Sequence, residues 1–245
     1  MPDLSIVIPV YDEAESLPAL WEELRGVLEG LGLASEVIFV DDGSRDESAE
    51  IIRGFREADP RVRLVRLKAN AGETAATDAG FKASRGKRVV VMDADLQNDP
   101  YDIPRLLGHL DRWDAATGWR VTRGDGDGWL RRVSSEIANR VRNRLSGDSI
   151  KDSGCTFRAF RRECLRDLVL YRGLHRFIPT LLAMKGYRVI EVPVNHRPRR
   201  FGRSKYGVWN RALVAFVDLL AVRWMKSRRL RYDVAEDLGG DLVRE

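Results

Sequence analysis

Short apolar runs alternate with amphipathic segments along the first half of the chain. The runs consist mostly of β-branched side chains, which is typical of strands buried on both faces of a sheet. The segments between them repeat apolar residues at helical spacing, which predicts helices with one buried face, and Ser16 is the expected N-cap of the first. We expect strands at 4–9, 37–40, 62–67, 88–92 and 114–117, and helices at 17–31, 48–55, 74–83 and from about 102 onward.

This alternation predicts the fold class. Apolar strands separated by helices are typical of an α/β protein with a mostly parallel central sheet and helices on both of its faces. Ligands of such sheets bind beyond the carboxyl ends of the strands. The length of 245 residues suits one large domain or two small ones. No apolar stretch approaches the roughly 18 residues that indicate a transmembrane helix, so we expect no membrane spans.

Acidic residues follow three of the predicted strands. They are Asp12, Glu13, Asp41, Asp42, Asp93 and Asp95. Carboxylates that meet at one sheet edge repel one another unless a cation or hydrogen-bond donors compensate. Hard oxygen ligands of this kind suit Mg²⁺ or Mn²⁺. Helix capping is the alternative, and it is a stronger alternative for Asp42 and Ser44 than for the closely spaced Asp93 and Asp95.

Two common nucleotide-binding motifs are missing from the sequence. The first strand is not followed by G-x-G-x-x-G, and there is no G-x-x-x-x-G-K-[ST] phosphate loop. A bound nucleotide would therefore need a cation to neutralise its phosphates.

Only two cysteines occur, Cys155 and Cys164. These are too few for a disulfide framework, and we expect both to be reduced and buried.

Charge is distributed unevenly along the chain. Residues 1–118 contain 14 basic and 23 acidic side chains, whereas residues 119–232 contain 27 basic and 9 acidic ones. The last thirteen residues are acidic again, with five acidic side chains against one basic. A strongly basic half suits an anionic partner, which could be a nucleic acid, a phosphorylated substrate or an anionic membrane. The charge alone does not choose among them.

Ordered motifs over roughly residues 4 to 225 resemble those of family 2 glycosyltransferases with the GT-A fold. In the first half they are IPVYDE (8–13), VDDGS (40–44), NAG (70–72) with AA (75–76), and DADLQ (93–97). In the second half DSGC (152–155), HRFIP (175–179) and FGRSKYG (201–207) are similar to the polyprenyl-phosphate glycosyltransferases, the dolichol-phosphate mannosyltransferases and their undecaprenyl-phosphate relatives. The resemblance implies inverting transfer of a sugar from a nucleoside-diphosphate sugar to a polyprenyl phosphate.

The resemblance also implies roles for particular positions. The implied nucleotide-sugar contacts are Pro9, Tyr11, Glu13, Asp42, Asp93, Arg200 and Lys205. The implied ligands of Mg²⁺ or Mn²⁺ are Asp93, Asp95 and Gln97. The implied catalytic and acceptor-binding positions are Asp95, Arg120, Arg131 and Ser135. Asp95 as a general base remains an alternative to its metal role.

Two departures from the family pattern are visible. Many of these enzymes continue into transmembrane helices, which are absent here, and Glu73 stands where relatives often place a large or basic residue. The acidic Glu73 leaves the sugar open, and GDP- and UDP-sugars both remain candidate donors. A same-fold transferase that acts on a soluble or protein hydroxyl is the alternative function. A nucleic-acid-binding module is disfavoured, because the sequence has no nucleic-acid-reading motif and such a function leaves the acidic strand ends unexplained.

The expected organisation is a catalytic domain followed by a membrane-binding helix. The domain covers 1–205, with a donor-binding half at 1–118 and an acceptor-binding half at 119–205. Residues 206–232 form a predicted amphipathic, basic helix, and 233–245 a disordered acidic tail. Tryptophans and a basic end suit a helix that lies on an anionic membrane, which predicts a cytoplasmic, peripheral location. Packing on the sheet or a homodimer contact is the alternative for this helix, and a homodimer or a separate membrane-anchored partner is a candidate assembly.

Overall fold

The computed structural model describes residues 1–121, 150–199, 208–230 and 236. The strands are β1 Leu4–Val10, β2 Ser35–Asp41, β3 Val62–Arg66, β4 Arg88–Val91, β5 Ala115–Arg120, β6 Arg158–Arg161 and β7 Val189–Val194. The helices are α1 Leu17–Leu31, α2 Ser48–Ala58, α3 Glu73–Ala83, α4 Ile103–Gly108, α5 Ile178–Met184 and α6 Val208–Ser227. Short 3₁₀ turns lie at Pro100–Asp102, His109–Asp111, Arg162–Leu165 and Leu174–Phe177.

The seven strands form one sheet in the order β3-β2-β1-β4-β6-β5-β7. Strand β6 runs antiparallel to both of its neighbours, and every other pairing is parallel. The predicted α/β class with a mostly parallel sheet is therefore confirmed. The short β6 contributes only four residues, but it joins β4 to β5 and so brings the second half of the chain beside the acidic end of β4.

Two apolar layers cover the two faces of the sheet. Alternate residues of a strand point to opposite faces. Accordingly Ile6 and Ile8 of β1 pack in a layer with α1, α2 and α4, whereas Val7 packs on the opposite face with α3 and α5. These side chains are fully buried. Helices on both faces of the sheet were predicted, and the packing confirms them.

Several element boundaries differ from the sequence prediction. Strand β2 begins two residues earlier than predicted, at Ser35, and β5 continues three residues further, to Arg120. Ser16 immediately precedes α1, but its side chain makes no cap hydrogen bond. The Ser16 hydroxyl instead donates to the carbonyl oxygen of Glu13 at 3.0 Å. The Ser16 hydroxyl therefore hydrogen-bonds to the loop before α1 and does not cap the helix as predicted.

Helix α6 lies within the predicted range 206–232, and its described half packs against the segment before α5. Leu219 and Val222 are buried in a small cluster with Leu174 and Phe177. None of the described helices is long and apolar enough to cross a membrane. Apart from Glu236, the predicted acidic tail lies outside the described residues.

Candidate active site

The loops that follow β1 and β2 are interlocked by hydrogen bonds. The Asp12 N–H donates to Ser44 Oγ at 3.0 Å, and the Arg45 N–H donates to Asp12 Oδ1 at 2.7 Å. The Glu13 N–H donates to Ser48 Oγ at 2.9 Å. Asp12 has a φ of 50°, in the left-handed region that a non-glycine residue rarely adopts. These contacts join the segment that follows β1 to the segment that follows β2. The predicted donor contacts Pro9, Tyr11 and Glu13 therefore lie at a sheet edge that hydrogen bonds hold in place.

Asp42 fixes the turn that leads into α3. Its Oδ1 accepts from the Ala71 N–H at 2.7 Å, and its Oδ2 accepts from the Gly72 N–H at 2.9 Å and from Asn70 Nδ2 at 3.1 Å. Gly72 has a φ of 92°, which glycine adopts without steric cost. Asp42 therefore positions the start of α3, and with it Glu73. The predicted contact of Asp42 with the base or ribose stays a prediction.

The DADLQ segment forms a tight turn after β4. The Asp93 N–H donates to Asn98 Oδ1 at 2.9 Å, and the Gln97 N–H donates to Asp95 Oδ1 at 3.1 Å. Leu96, with a φ of 62°, occupies the left-handed region, and its side chain is buried. Such a conformation costs a leucine about 1–2 kcal/mol. The surrounding structure thus maintains a strained turn that holds Asp93 and Asp95 close together.

Asp93 lies in an electrostatic environment that disfavours its charge. Burial, followed by the negative charges of Glu73 and Asp95, raises the pKa of Asp93 to about 7. The Thr156 hydroxyl donates to Asp93 Oδ2 and partly offsets this rise. Negative charges that lie this close together suit an added cation.

A small pocket beside Asp93 contains a buried arginine. Its lining residues are Pro9, Glu73, Thr77, Val91, Asp93, Thr156, Arg158, His175 and Ile178. The Arg158 side chain donates to Thr117 Oγ1 at 3.2 Å and to the His175 carbonyl oxygen at 2.6 Å. Burial lowers the pKa of Arg158 to about 10, so the guanidinium remains charged at neutral pH. Its positive charge partly balances Glu73 and Asp93, and no motif in the sequence marks Arg158 as a site residue.

His175 connects the start of α3 to the segment before α5. Its Nδ1 lies 2.7 Å from Thr74 Oγ1, and its Nε2 lies 3.4 Å from Glu73 Oε1. Thr74 Oγ1 also accepts from the Gly173 N–H at 3.0 Å. This arrangement orients Glu73, the residue that departs from the family pattern, towards the pocket beside Asp93.

Two of the described arginines in the second half of the chain approach the turn at residues 93–97, which we call the acidic turn. Arg120, at the end of β5, donates through Nε and Nη2 to the buried carboxylate of Asp152 at 2.7 and 2.8 Å. Arg199 donates through Nη2 to Asp95 Oδ2 at 2.6 Å. The sequence prediction includes Arg120 and does not include Arg199. The predicted positions Arg131, Ser135, Arg200 and Lys205 lie outside the described residues.

The described carboxylates suit a divalent cation that takes its remaining ligands from substrate phosphates and water. Among the described residues, no group of three or more His, Cys, Asp or Glu side chains is arranged to hold a metal ion. Mg²⁺ is commonly held by one or two carboxylates together with substrate phosphates and water. Asp93 and Asp95 match that pattern, with the Gln97 side chain beside them, where its Nε2 lies 3.4 Å from His196 Nε2.

Comparison with known proteins gives the family. The model of "Glycosyl transferase family 2" matches residues 5–169. The chain belongs to this family. It is therefore a glycosyltransferase, and the predicted resemblance is confirmed. The acidic turn, Thr156 and Arg158 lie within the matched residues, and so do the pocket residues other than His175 and Ile178.

Two curated relatives refine the family membership. A dodecaprenyl-phosphate galacturonate synthase of Rhizobium johnstonii is 36% identical over 235 residues, which cover 94% of this chain and 69% of the relative. An undecaprenyl-phosphate 4-deoxy-4-formamido-L-arabinose transferase of Salmonella paratyphi A is 39% identical over 204 residues, which cover 83% of this chain and 62% of the relative. The chain thus spans about two thirds of the length of these family 2 relatives.

A solved structure confirms the fold. Glucosyl-3-phosphoglycerate synthase from Mycobacterium tuberculosis, in complex with Mn²⁺, uridine diphosphate and phosphoglyceric acid, superposes with a TM-score of 0.68 at 18% identity. The superposition covers 94% of this chain and 80% of the synthase. At 18% identity this similarity establishes the predicted fold. It gives no information about the substrates of this glycosyltransferase.

Proposed function

We propose that this glycosyltransferase moves a sugar from a nucleoside-diphosphate sugar to a polyprenyl phosphate. The observation that carries the proposal is that the two relatives, which align with four fifths or more of the chain, are both named for a polyprenyl phosphate. Their sugars differ, so the relatives support the acceptor class and leave the sugar open. The basic second half of the chain agrees with an anionic acceptor.

Asp93 and Asp95 are the proposed holders of a divalent cation at the donor diphosphate. When bound, Mg²⁺ or Mn²⁺ supplies the positive charge that stabilises a departing diphosphate. The protein's part is to orient the two carboxylates. The Thr156 hydroxyl holds Asp93 and the Gln97 N–H holds Asp95, while the strained turn at Leu96 keeps the pair together.

A phosphate acceptor removes the need for a general base. The acceptor phosphate is already ionised near neutral pH, with a second pKa of about 6 for a phosphate monoester. Its oxygen attacks the anomeric carbon, the bond between the sugar and the diphosphate breaks, and the nucleoside diphosphate leaves. The residues then need to bind two anions side by side. Arg120, held in a fixed orientation by Asp152, is the described cation at a predicted acceptor position.

Helix α6 is the proposed contact with an anionic membrane, where a polyprenyl phosphate would reside. Val217, Leu220 and Trp224 are exposed on it. Basic residues follow at the end of the helix, namely Lys226, Arg228 and Arg229. Apolar side chains followed by a basic cluster suit an interfacial helix.

A mass-spectrometric transfer assay tests the proposed reaction. Purified protein is offered a panel of GDP- and UDP-sugars with undecaprenyl or dolichyl phosphate, with Mn²⁺ or with EDTA. We expect a metal-dependent mass increase of the lipid with one donor. The Asp95→Ala variant should lose this activity, whereas Asp111→Ala, which removes an exposed aspartate of the 3₁₀ turn His109–Asp111, should retain it.

Two outcomes would contradict parts of the proposal. Hydrolysis of the donor without a lipid product would move the acceptor to a soluble or protein hydroxyl. Near-normal turnover of Asp95→Ala in saturating Mn²⁺ would exclude Asp95 as a required metal ligand.

A further inference from the structure

Both carboxylate oxygens of Asp95 already have partners within the protein. Oδ1 accepts the Gln97 N–H at 3.1 Å, and Oδ2 accepts Arg199 Nη2 at 2.6 Å. Asp95 is 8% exposed, whereas the Arg199 side chain is 34% exposed. A short, charge-assisted hydrogen bond of this kind is among the stronger ones in proteins. The oxygen that would coordinate a divalent cation is therefore held by an internal cation.

The segment that carries Arg199 is anchored along the acidic turn. The Asn195 N–H donates to Asp102 Oδ2 at 2.6 Å, and the Arg197 N–H donates to the Gln97 carbonyl oxygen at 2.9 Å. The Arg197 side chain binds two further carboxylates, those of Glu23 at 2.6 Å and Asp99 at 2.7 Å. Backbone and side-chain contacts thus place residue 199 opposite Asp95.

A divalent cation and the Arg199 guanidinium compete for the same oxygen of Asp95. If the cation binds alone, Arg199 loses its charged partner, and the cation gains only the few protein ligands described above. A bound diphosphate favours the displacement of Arg199 by the cation in two ways. Its oxygens complete the coordination of the cation, and they also give a displaced guanidinium a new anionic partner of the geometry it prefers.

We propose that Arg199 is the resident counter-ion of Asp95, which a divalent cation displaces readily only when a nucleoside diphosphate binds with it. The proposal rests on the metal role of Asp95 in the proposed function, and it is independent of the acceptor. It makes the affinities for metal and nucleotide depend on each other, and this coupling is reciprocal. Arg199 is thus a positioning residue that acts through Asp95 and favours joint binding of metal and donor.

Metal binding without turnover tests this proposal. Free Mn²⁺ is measured by electron paramagnetic resonance during titration of the full chain, first with Mn²⁺ alone and then with UDP or GDP present. We expect Arg199→Gln to bind Mn²⁺ alone about tenfold more tightly than the wild type, and the enhancement by UDP or GDP to shrink by a similar factor. Arg199→Lys, which keeps the charge, should lie between the two.

Arg197→Gln is the matched control. It removes an arginine two positions away, on the same anchored segment, whose partners are Glu23 and Asp99 rather than Asp95. Its affinity for Mn²⁺ alone should remain that of the wild type. An equal gain in Arg197→Gln and Arg199→Gln would show that loosening of the segment is responsible, and would overturn the proposal.

Two further results would also decide against the counter-ion role. Equal Mn²⁺ affinities for the wild type and Arg199→Gln would overturn it while leaving the metal role of Asp95 intact. Absence of Mn²⁺ binding in every variant, with and without nucleotide, would overturn both. Sugar transfer to the lipid is measured separately, so failure of the proposed acceptor would be recognised as a different result.

Discussion

At the scale of single residues, aspartates with similar sequence settings have different roles. Asp42 and Asp93 both follow buried strands, but Asp42 uses both oxygens to hold the turn before α3. Among the described residues, the Thr156 hydroxyl donates to Asp93, which lies near the carboxylates of Glu73 and Asp95. Donor groups around Asp42 compensate its charge, whereas Asp93 keeps a raised pKa. The difference arises from neighbours that are distant in sequence.

The two cysteines give a residue-scale prediction. Burial raises the pKa of Cys155 to about 11 and that of Cys164 to about 12, from an ordinary 9.0. Because the thiolate is the reactive form, we expect Ellman's reagent at pH 8 to label the native protein very slowly. Unfolding in urea should release both thiols. Rapid labelling of either thiol in the native state would contradict their burial.

The same shifts predict how stability depends on pH. A thiol whose pKa is raised in the folded state favours folding while it is protonated. That contribution is fully present below the unfolded pKa near 9 and is lost as the pH rises towards 11. Stability should therefore fall over this interval, in a series of urea unfolding curves. The decline should be smaller in a Cys155→Ala variant.

At the scale of elements, close packing of α3 on β1 depends on a glycine. A Cβ added at Gly80 would lie 2.2 Å from Val7 Cγ1 and 3.1 Å from Val40 Cγ2. Both valines are fully buried, in the layer between the sheet and α3. By contrast, a Cβ added at Gly54 of α2 would meet no atom within 4 Å.

This contrast predicts opposite effects of the same substitution in two helices. Gly80→Ala should destabilise the protein by about 1–3 kcal/mol, because the core is overpacked at Val7. Gly54→Ala should stabilise it by about 0.5–1 kcal/mol, because alanine favours the helix and nothing is displaced. Urea unfolding of both variants measures the two values. A stabilising Gly80→Ala would show that α3 can move away from β1 at little cost.

At the scale of the whole molecule, the excess positive charge and most of the described exposed apolar side chains lie in the second half of the chain. The described acidic turn lies in the half with excess negative charge, and α6 lies in the half with excess positive charge. Helix α6 buries Leu219 and Val222 but leaves Leu220 and Trp224 43% and 63% exposed. Exposed apolar side chains beside basic residues are typical of a helix that binds an anionic membrane surface.

We therefore predict salt-sensitive binding to anionic vesicles. The protein should float with phosphatidylglycerol vesicles at low ionic strength and less at high ionic strength, because salt screens the attraction. Leu220→Ser combined with Trp224→Ser should lower the bound fraction several-fold. Tyr101→Ser, which removes an exposed aromatic residue from the donor half, is the control and should leave binding unchanged. Recovery of all wild-type protein in the unbound fraction would contradict the membrane role of α6.

Local pattern was sufficient for most of the fold. Runs such as Val37-Ile38-Phe39-Val40 are buried strands in the structure, as predicted, because a β-branched apolar run has few other stable environments. The strand ends also placed Asp93 and Asp95 at one edge of the sheet, since parallel strands share their carboxyl edge. Boundaries moved by a few residues where hydrogen bonds to neighbouring strands extended β2 and β5.

The sequence by itself determined the α/β class, the acidic turn and the family, because these follow from local periodicity and from motifs of adjacent residues. Only the tertiary structure decided the partners of the acidic turn. Thr156 reaches Asp93 across 63 positions, and Arg199 reaches Asp95 across 104. No local pattern encodes such separations. They arise because antiparallel β6 pairs with β4, and because the segment after β7 packs beside the turn that follows β4.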